Sequence, residues 1–272
     1  MSPEQPIDAP ASDPNFMMSL ARGLSVIQAF SEQRPSMTVS QISQRTGISR
    51  AAVRRCLYTL DKLGFVNSLD GGVFSLRPRV LLLGQACLTS IPFARAAEPV
   101  LNRLSEPLNE SSSVSVLDGN EVLYVARAQT KRLMAMHLDV GSRLPAIYTA
   151  MGRVLIAALP SAERETYIAN ANYNQHTAHS IMNRQALGEA LRVAREQGYC
   201  IVDQELEEGV RSIAVPVTGR DGAVIAAMSV GVHAQRMGIE AMESQILPAL
   251  KSAAQELSLL GEGLQKVVSE SS

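Results

Sequence analysis

Residues 41–66 read QISQRTGISRAAVRRCLYTLDKLGFV. A glycine separates two runs of helical apolar spacing, and four arginines, Arg45, Arg50, Arg54 and Arg55, are set among them. Just upstream, Thr38 and Gln41 have the spacing of a capping box, so a short helix opens there, with Val39 and Ile42 beginning its apolar face. Thr46-Gly47-Ile48-Ser49 interrupts it with a tight turn, and Ser49 is a good N-cap for a further helix running to about Leu63. On that helix Val53, Cys56, Leu57, Leu60 and Leu63 share one side, while Ala51, Arg54, Arg55, Tyr58 and Lys62 share the other.

The flanks complete a module. Before this stretch, residues 16–30 place Leu20, Leu24 and Ile27 as the apolar stripe of an amphipathic helix, which ends near Pro35. After Gly64, FVNSL and VFSL are short strand-like runs on either side of Asp70-Gly71-Gly72, a strong hairpin signal. Helix, helix-turn-helix and hairpin in that order make a winged helix-turn-helix over residues 16–78. Such a unit lays the helix after Ser49 in the DNA major groove. The candidate DNA-contacting set is Thr38, Ser49, Arg50, Ala51, Ala52, Arg54, Arg55 and Tyr58. The arginines meet guanine edges or phosphates, the capped helix end offers N–H groups to a phosphate, and the two alanines permit close backbone approach. Arg55, nearest the apolar edge, either joins them or pairs with an acid inside the module. A merely solvated basic face would explain the charge but neither the glycine turn nor the hairpin.

Charge supports this division. The net charge of the 272 residues is −1, yet residues 16–90 hold nine Lys/Arg against three acids. A basic module is thus joined to a mildly acidic remainder, as expected if only the first part meets a polyanion. Length allows two domains, and 46% hydrophobic against 19% charged residues calls for packed cores rather than disorder. Residues 1–15, rich in Pro, Asp and Ser, read as a disordered tail. No apolar run approaches bilayer length, and prolines and acids stand where a signal peptide would be basic and apolar, so a cytoplasmic protein with no membrane partner is expected. Cys56, Cys87 and Cys200 are odd in number and widely spaced, which indicates neither disulfides nor zinc.

Residues 79–98 read as a helical linker, with breaks at Pro92 and Pro99, and residues 99–272 as a second domain. There SSSVSVLDGNEVLYVARA forms two strand-like runs around Asp118-Gly119-Asn120. Helices follow over 149–159, 161–170 and 183–197, strands over 200–203, 212–218 and 223–232, and a final helix over 239–260. The fold class is α+β.

The stretches SLARGLSVIQAF, RAAVRRCLYTLDKLGF and DQELEEGVRSIAVPV resemble the IclR family of bacterial transcription regulators, and within it the subgroup controlling protocatechuate and 4-hydroxybenzoate catabolism through the β-ketoadipate pathway. The resemblance implies a GAF-like effector-binding domain at the C-terminal end, a small organic acid such as β-ketoadipate or protocatechuate as ligand, double-stranded operator DNA as partner, and a homodimer or dimer of dimers. It favours an activator that contacts RNA polymerase, the alternatives being a repressor or another carboxylic acid as effector. Family pocket positions carry over onto Leu133, Ala150, Met151, Ser212, Ser229 and Gly231. Val202 beside Asp203, Gly152-Arg153 in place of the common Gly-Lys, and Gly231 in place of a second serine depart from the family pattern and point to a reshaped pocket.

A buried carboxylate needs donors and a cation. Arg143, Arg211 and His137 are the candidate cations, with Tyr148, Thr149, Ser212 and Ser229 as neutral donors and Met136 and Met151 as adaptable lining. Asp203 belongs to the same candidate set, because Arg211 serves either the ligand or an ion pair with Asp203 or Glu205. No cofactor and no catalysis are expected: GxSxG, a P-loop, the dinucleotide glycine pattern and HExxH are all missing, and His176 and His179 lie in a polar loop. Two rivals remain: a redox role for Cys56 or Cys200, although Cys56 sits on the apolar face, and an architectural DNA-binding protein with no small ligand, which would leave the second domain without a purpose.

Overall fold

The computed structural model describes residues 13–31, 34–69, 72–83, 92–130, 138–219 and 221–260. The chain divides into two compact units, Met1–Cys87 and Leu88–Ser272.

In the first unit, α1 (Met18–Gln28), α2 (Val39–Thr46) and α3 (Arg50–Lys62) pack with β1 (Ser36–Thr38), β2 (Val66–Leu69) and β3 (Val73–Leu76). The strands form an antiparallel sheet in the order β1-β3-β2. The capping box forms as its spacing requires: Gln41 N donates to Thr38 Oγ1 at 3.3 Å and Thr38 N to Gln41 Oε1 at 2.8 Å. Gly47 takes φ +70, which an L side chain adopts only with strain, and Ser43 Oγ closes the turn on Ile48 O at 2.7 Å. Val26, Phe30, Met37, Ile42, Val53, Leu57, Leu60 and Val66 make the core.

Three expectations are corrected. Val26 of α1 and Ala29 and Phe30 just after it face inward, whereas Leu20 and Leu24 are 59% and 47% exposed. Leu63 is exposed because Gly64, at φ +79, turns the chain so that Phe65 N bonds Leu60 O at 2.8 Å and Phe65, not Leu63, packs against the core. Between Pro35 and α2, where no strand was expected, the chain forms β1, whose Met37 is buried against the sheet.

The second unit contains α4 (Pro92–Leu108), which starts at one expected break, Pro92, but continues through the other, Pro99, and through Pro107. The missing proline N–H weakens the ladder, but Phe93, Ala97, Val100, Leu101 and Leu104 all enter the core and hold the helix in place. The strands are β4 (Ser112–Asp118), β5 (Glu121–Ala128), β6 (Arg143–Pro145), β7 (Cys200–Asp203), β8 (Val210–Thr218) and β9 (Val224–His233). They make one antiparallel sheet in the order β6-β5-β4-β9-β8-β7. Helices α5 (Ala150–Ala158), α6 (Ser161–Asn170), α7 (Arg184–Gln197), α8 (Ile239–Ala241) and α9 (Leu247–Leu260) complete the unit, the last two joined by a π turn over Met242–Ile246.

The sheet has two working faces because successive strand residues point to opposite sides. Val114, Met228 and Val215 align across β4, β9 and β8 in the core shared with α4 and α9. Their chain neighbours Ser113, Ser229 and Ala214 align on the opposite face, where α5 and α7 pack. One irregularity matters. Ser113 pairs with Arg127 and Val114 with Ala126, but Ser115 pairs with Tyr124, so Val125 is an extra residue in β5. This β-bulge brings Tyr124 and Arg127, three positions apart, onto the same face as Ser113 and Ser115.

Gly152 in α5 lies against the chain at Ala146: a Cβ there would sit 2.1 Å from the Ala146 carbonyl oxygen. The Gly152→Ala variant is expected to lower the stability of the second unit by about 3 kcal/mol or more, read by denaturant melts followed through this unit.

Candidate DNA-binding helix and effector pocket

Ser49 caps α3, its Oγ accepting from Ala52 N at 3.4 Å, and the buried row Val53, Leu57 and Leu60 fixes which side faces out. Arg50, Ala51, Arg54, Arg55, Tyr58 and Lys62 are exposed, Ala52 and Thr38 half-buried. Tyr58 is 66% exposed with Lys62 Nζ 5.5 Å from its ring centre. Among the described residues, Arg50, Arg54 and Arg55 take no ion pair or side-chain hydrogen bond, so Arg55 does not pair with an acid of the module. By contrast Arg77 donates to Asn67 Oδ1 at 3.1 Å with Asp61 at 3.8 Å, which ties β3 to β2 and α3. Arg45 lies at the end of α2 with a buried, unpartnered Nε.

In the second unit a cavity of about 720 Å³, counting its open mouth, lies on the α5 side of the sheet. Its polar floor is Ser111 and Ser113 before and on β4, Ser212 on β8, and Ser229 and Gly231 on β9. Leu138, Leu144, Tyr148, Met151, Val202 and Leu206 form apolar walls, and Thr149 and Ala150 close one end. Three charged residues reach it: Arg127, Glu205 and Glu207.

These charges differ in how far they are compensated. Glu205 Oε2 accepts from Arg153 Nη2 at 2.6 Å and from Ile181 N at 3.0 Å, while Arg153 Nε donates to Ile147 O at 2.9 Å. Both side chains are buried, 4% and 11% exposed. The loop of His176 and His179 is braced on the same point, Thr177 Oγ1 donating to Gln204 O at 2.6 Å and Ser180 Oγ to Glu205 O at 2.7 Å. Arg127 has less: Nη1 donates to Ser113 Oγ at 3.2 Å, and its Nε is buried without a partner. Burial pulls its guanidinium below the ordinary arginine range, opposed by Tyr124 and Asp139. Burial pushes the Tyr124 hydroxyl up to about 12, which keeps it a neutral donor.

The family model of the IclR helix-turn-helix domain matches residues 19–70, and that of the bacterial transcriptional regulator IclR C-terminal domain matches residues 85–259. The chain belongs to the IclR family of transcriptional regulators.

Within this family the chain is 46% identical over 257 residues to the Pca regulon regulatory protein of Pseudomonas putida, covering 94% of this chain and 88% of that one. It is 34% identical over 248 residues to the p-hydroxybenzoate hydroxylase transcriptional activator of Acinetobacter baylyi, with 89% and 91% covered. A crystal structure of a transcriptional regulator from Rhodococcus sp. RHA1 superposes with a TM-score of 0.79 at 39% identity, covering 93% of this chain and all of that one. These relatives are named regulators, not enzymes, and this chain is an IclR-family regulator close to those of Pca regulons. Among the described residues no helix is long and apolar enough to cross a membrane and no group of side chains could hold a metal.

For an IclR-family effector domain, the sequence located part of the cavity. Tyr148, Thr149, Ala150, Met151, Ser212, Ser229 and Gly231 all line it. Leu133, Met136 and His137 lie outside the described residues. Thr149 is occupied in capping α5, accepting from Gly152 N at 3.0 Å, and Tyr148 Oη accepts from Asn174 N at 2.7 Å. The arginines and Asp203 are elsewhere. Arg143 is held on the surface by Asp118 and Glu121. Arg211 makes a two-point pair with Asp203, 2.8 Å on each oxygen, and donates its third nitrogen to Met237 O at 2.6 Å. The cation that does line the cavity, Arg127, was missed by sequence reasoning, as was the Arg153–Glu205 pair. Burial raises the Cys56 thiol, and the Cys200 thiol to about 11, which removes the thiolate a redox sensor needs.

The Arg153–Glu205 pair is buried in the second unit, and removing one partner strands a charge. The Arg153→Met variant is expected to lose about 3–5 kcal/mol of stability, measured by urea denaturation. The Asp203–Arg211 pair holds the Asp203 carboxyl below the usual range. Its contribution is therefore complete above the unfolded carboxylate pKa and fades as pH falls through the lowered folded value. The stability difference between wild type and Asp203→Asn should shrink on acidification below the ordinary carboxylate range.

Proposed function

We propose that the protein is a cytoplasmic activator of aromatic-acid catabolism genes, binding operator DNA through α3 and switched by β-ketoadipate or protocatechuate in the cavity of its second unit. The observation that carries this reading is the 46% identity, along nearly the whole chain, to the Pca regulon regulatory protein. Activation is supported by the activator from Acinetobacter baylyi, and an organic-acid ligand by a cavity floored with seryl hydroxyls under apolar walls.

In this reading Arg50, Arg54 and Arg55, with no partner among the described residues, bind bases and phosphates. Thr38 and Ser49 face the backbone, Ala51 and Ala52 let it approach, and Tyr58 extends the contact. Arg143, Asp203 and Arg211 drop out of the effector set because their charges are already paired. A homodimer, or a dimer of dimers, is supported by the exposed leucines on α1, Leu20 and Leu24, and by exposed Leu81, Leu82 and Leu83 before the second unit. The effector acts by preferring one arrangement of that dimer, transmitted through residues 78–110 to DNA or to RNA polymerase.

The test is fluorescence anisotropy of a labelled duplex from upstream of the protein's own gene, at two salt concentrations, with and without each acid, alongside transcription from the same duplex. Tight binding that weakens steeply with salt, and transcription raised by one acid, are expected. Arg54→Ala should weaken binding by about tenfold and flatten the salt dependence. Binding or transcription indifferent to every carboxylic acid tested would overturn the proposal.

A further inference from the structure

We propose that Arg127 is the carboxylate anchor of the effector cavity, gripping the ligand's acid group with the Nε and Nη2 edge of its guanidinium while Ser113 holds Nη1. The inference rests on the reading that the cavity takes an organic acid.

Among the described residues that line the cavity, Arg127 is the only cation. Every other arginine near it has an internal partner: Arg153 has Glu205 and Arg211 has Asp203. Asp139, the acid that acts on Arg127 at longer range, is exposed and already accepts from Gln129 Nε2 at 2.5 Å. Arg127 is half-buried, and a guanidinium whose Nε is shut away without a partner is costly unless an anion completes it. The planar fork of arginine matches a carboxylate at two points, and the edge left open by Ser113 is the one suited to it.

The sheet supplies the rest. Arg127, Ser113 and Ser229 are successive cross-strand partners on β5, β4 and β9 and share one face. The Ser229 hydroxyl therefore stands two strands from the arginine, about 10 Å of backbone spacing that the long arginine side chain shortens. An acid gripped by Arg127 directs the remainder of its skeleton along the floor toward Ser229, Ser212 and the apolar wall of Val202 and Leu206. Asp203 and Arg211, turned onto each other, take no part.

The test is titration calorimetry on the full-length protein with protocatechuate, β-ketoadipate and the uncharged analogue 3,4-dihydroxybenzamide. Wild type should bind an acid and discriminate against the amide. Arg127→Gln should weaken acid binding by about 10- to 100-fold and the amide by less than about threefold, so that discrimination disappears. Arg127→Lys, which keeps the charge but not the fork, should fall between. Ligand-free melting of both variants should stay at or above wild type, because no internal ion pair is lost and an uncompensated donor edge is relieved. Arg127→Gln binding the acid as tightly as wild type, or losing acid and amide equally, would overturn the assignment alone. Wild type binding neither acid would overturn the effector reading beneath it.

Discussion

One extra residue, Val125, sets the chemistry of the effector cavity. Without it the β4–β5 hairpin would run in constant register from its Asp118-Glu121 closing pair, and Arg127 would stand opposite Ser112 on the face packed against α4. An arginine there would have to be desolvated among Leu101, Val114 and Met228. The bulge turns it to the serine-floored face and keeps Tyr124 beside it. Val125 itself enters the α4 core and is anchored by it. The local loss of ladder regularity is offset by apolar burial of one residue and by avoiding a buried charge in a hydrocarbon core.

The two units treat charge in opposite ways. In the second unit several described arginines are paired internally. Arg153 is buried against Glu205, Arg211 clamps Asp203 and the Met237 carbonyl, and Arg143 bridges two acids on the surface. These pairs define loops and strand ends rather than ligand contacts. Among the described residues the α3 arginines have no ion pair and are exposed, which leaves their donors available to the polyanion of the proposed reading. Arg127 combines both situations, enclosed by the fold yet uncompensated by it. In the proposed reading, these described arginines without ion pairs stand where the protein would meet negative charge, the DNA backbone and a small acid.

The first unit was largely legible in the sequence because its signals are local. Thr38/Gln41, Gly47, Ser49 and the hairpin glycines act within a few residues, and the helix-turn-helix follows from them. The errors arose where neighbours in space decided. Leu20 and Leu24 have perfect helical spacing, yet Val26 and Phe30 face the core. Pro99 reads as a break, but tertiary packing of Phe93, Leu101 and Leu104 carries the helix through it. In the second unit two of the floor serines, Ser212 and Ser229, could be found from the family resemblance, whereas Ser111 and Ser113 were not. Arg127 could not, since a period-two reading of VLYVARA places it on the wrong face and only the bulge corrects the register. Arg153 and Glu205 are 52 residues apart, and no local pattern joins them.

The central claim is that the fold holds one uncompensated guanidinium for the acid group of its effector. It is tested most directly by a crystal structure of the effector domain's full-length protein grown with the tighter-binding of protocatechuate and β-ketoadipate. The account predicts a ligand carboxylate on the Nε and Nη2 edge of Arg127, within about 3 Å, with the Arg211–Asp203 pair intact. A ligand in the cavity with its carboxylate turned away from Arg127, or bound through Arg211 released from Asp203, would contradict it.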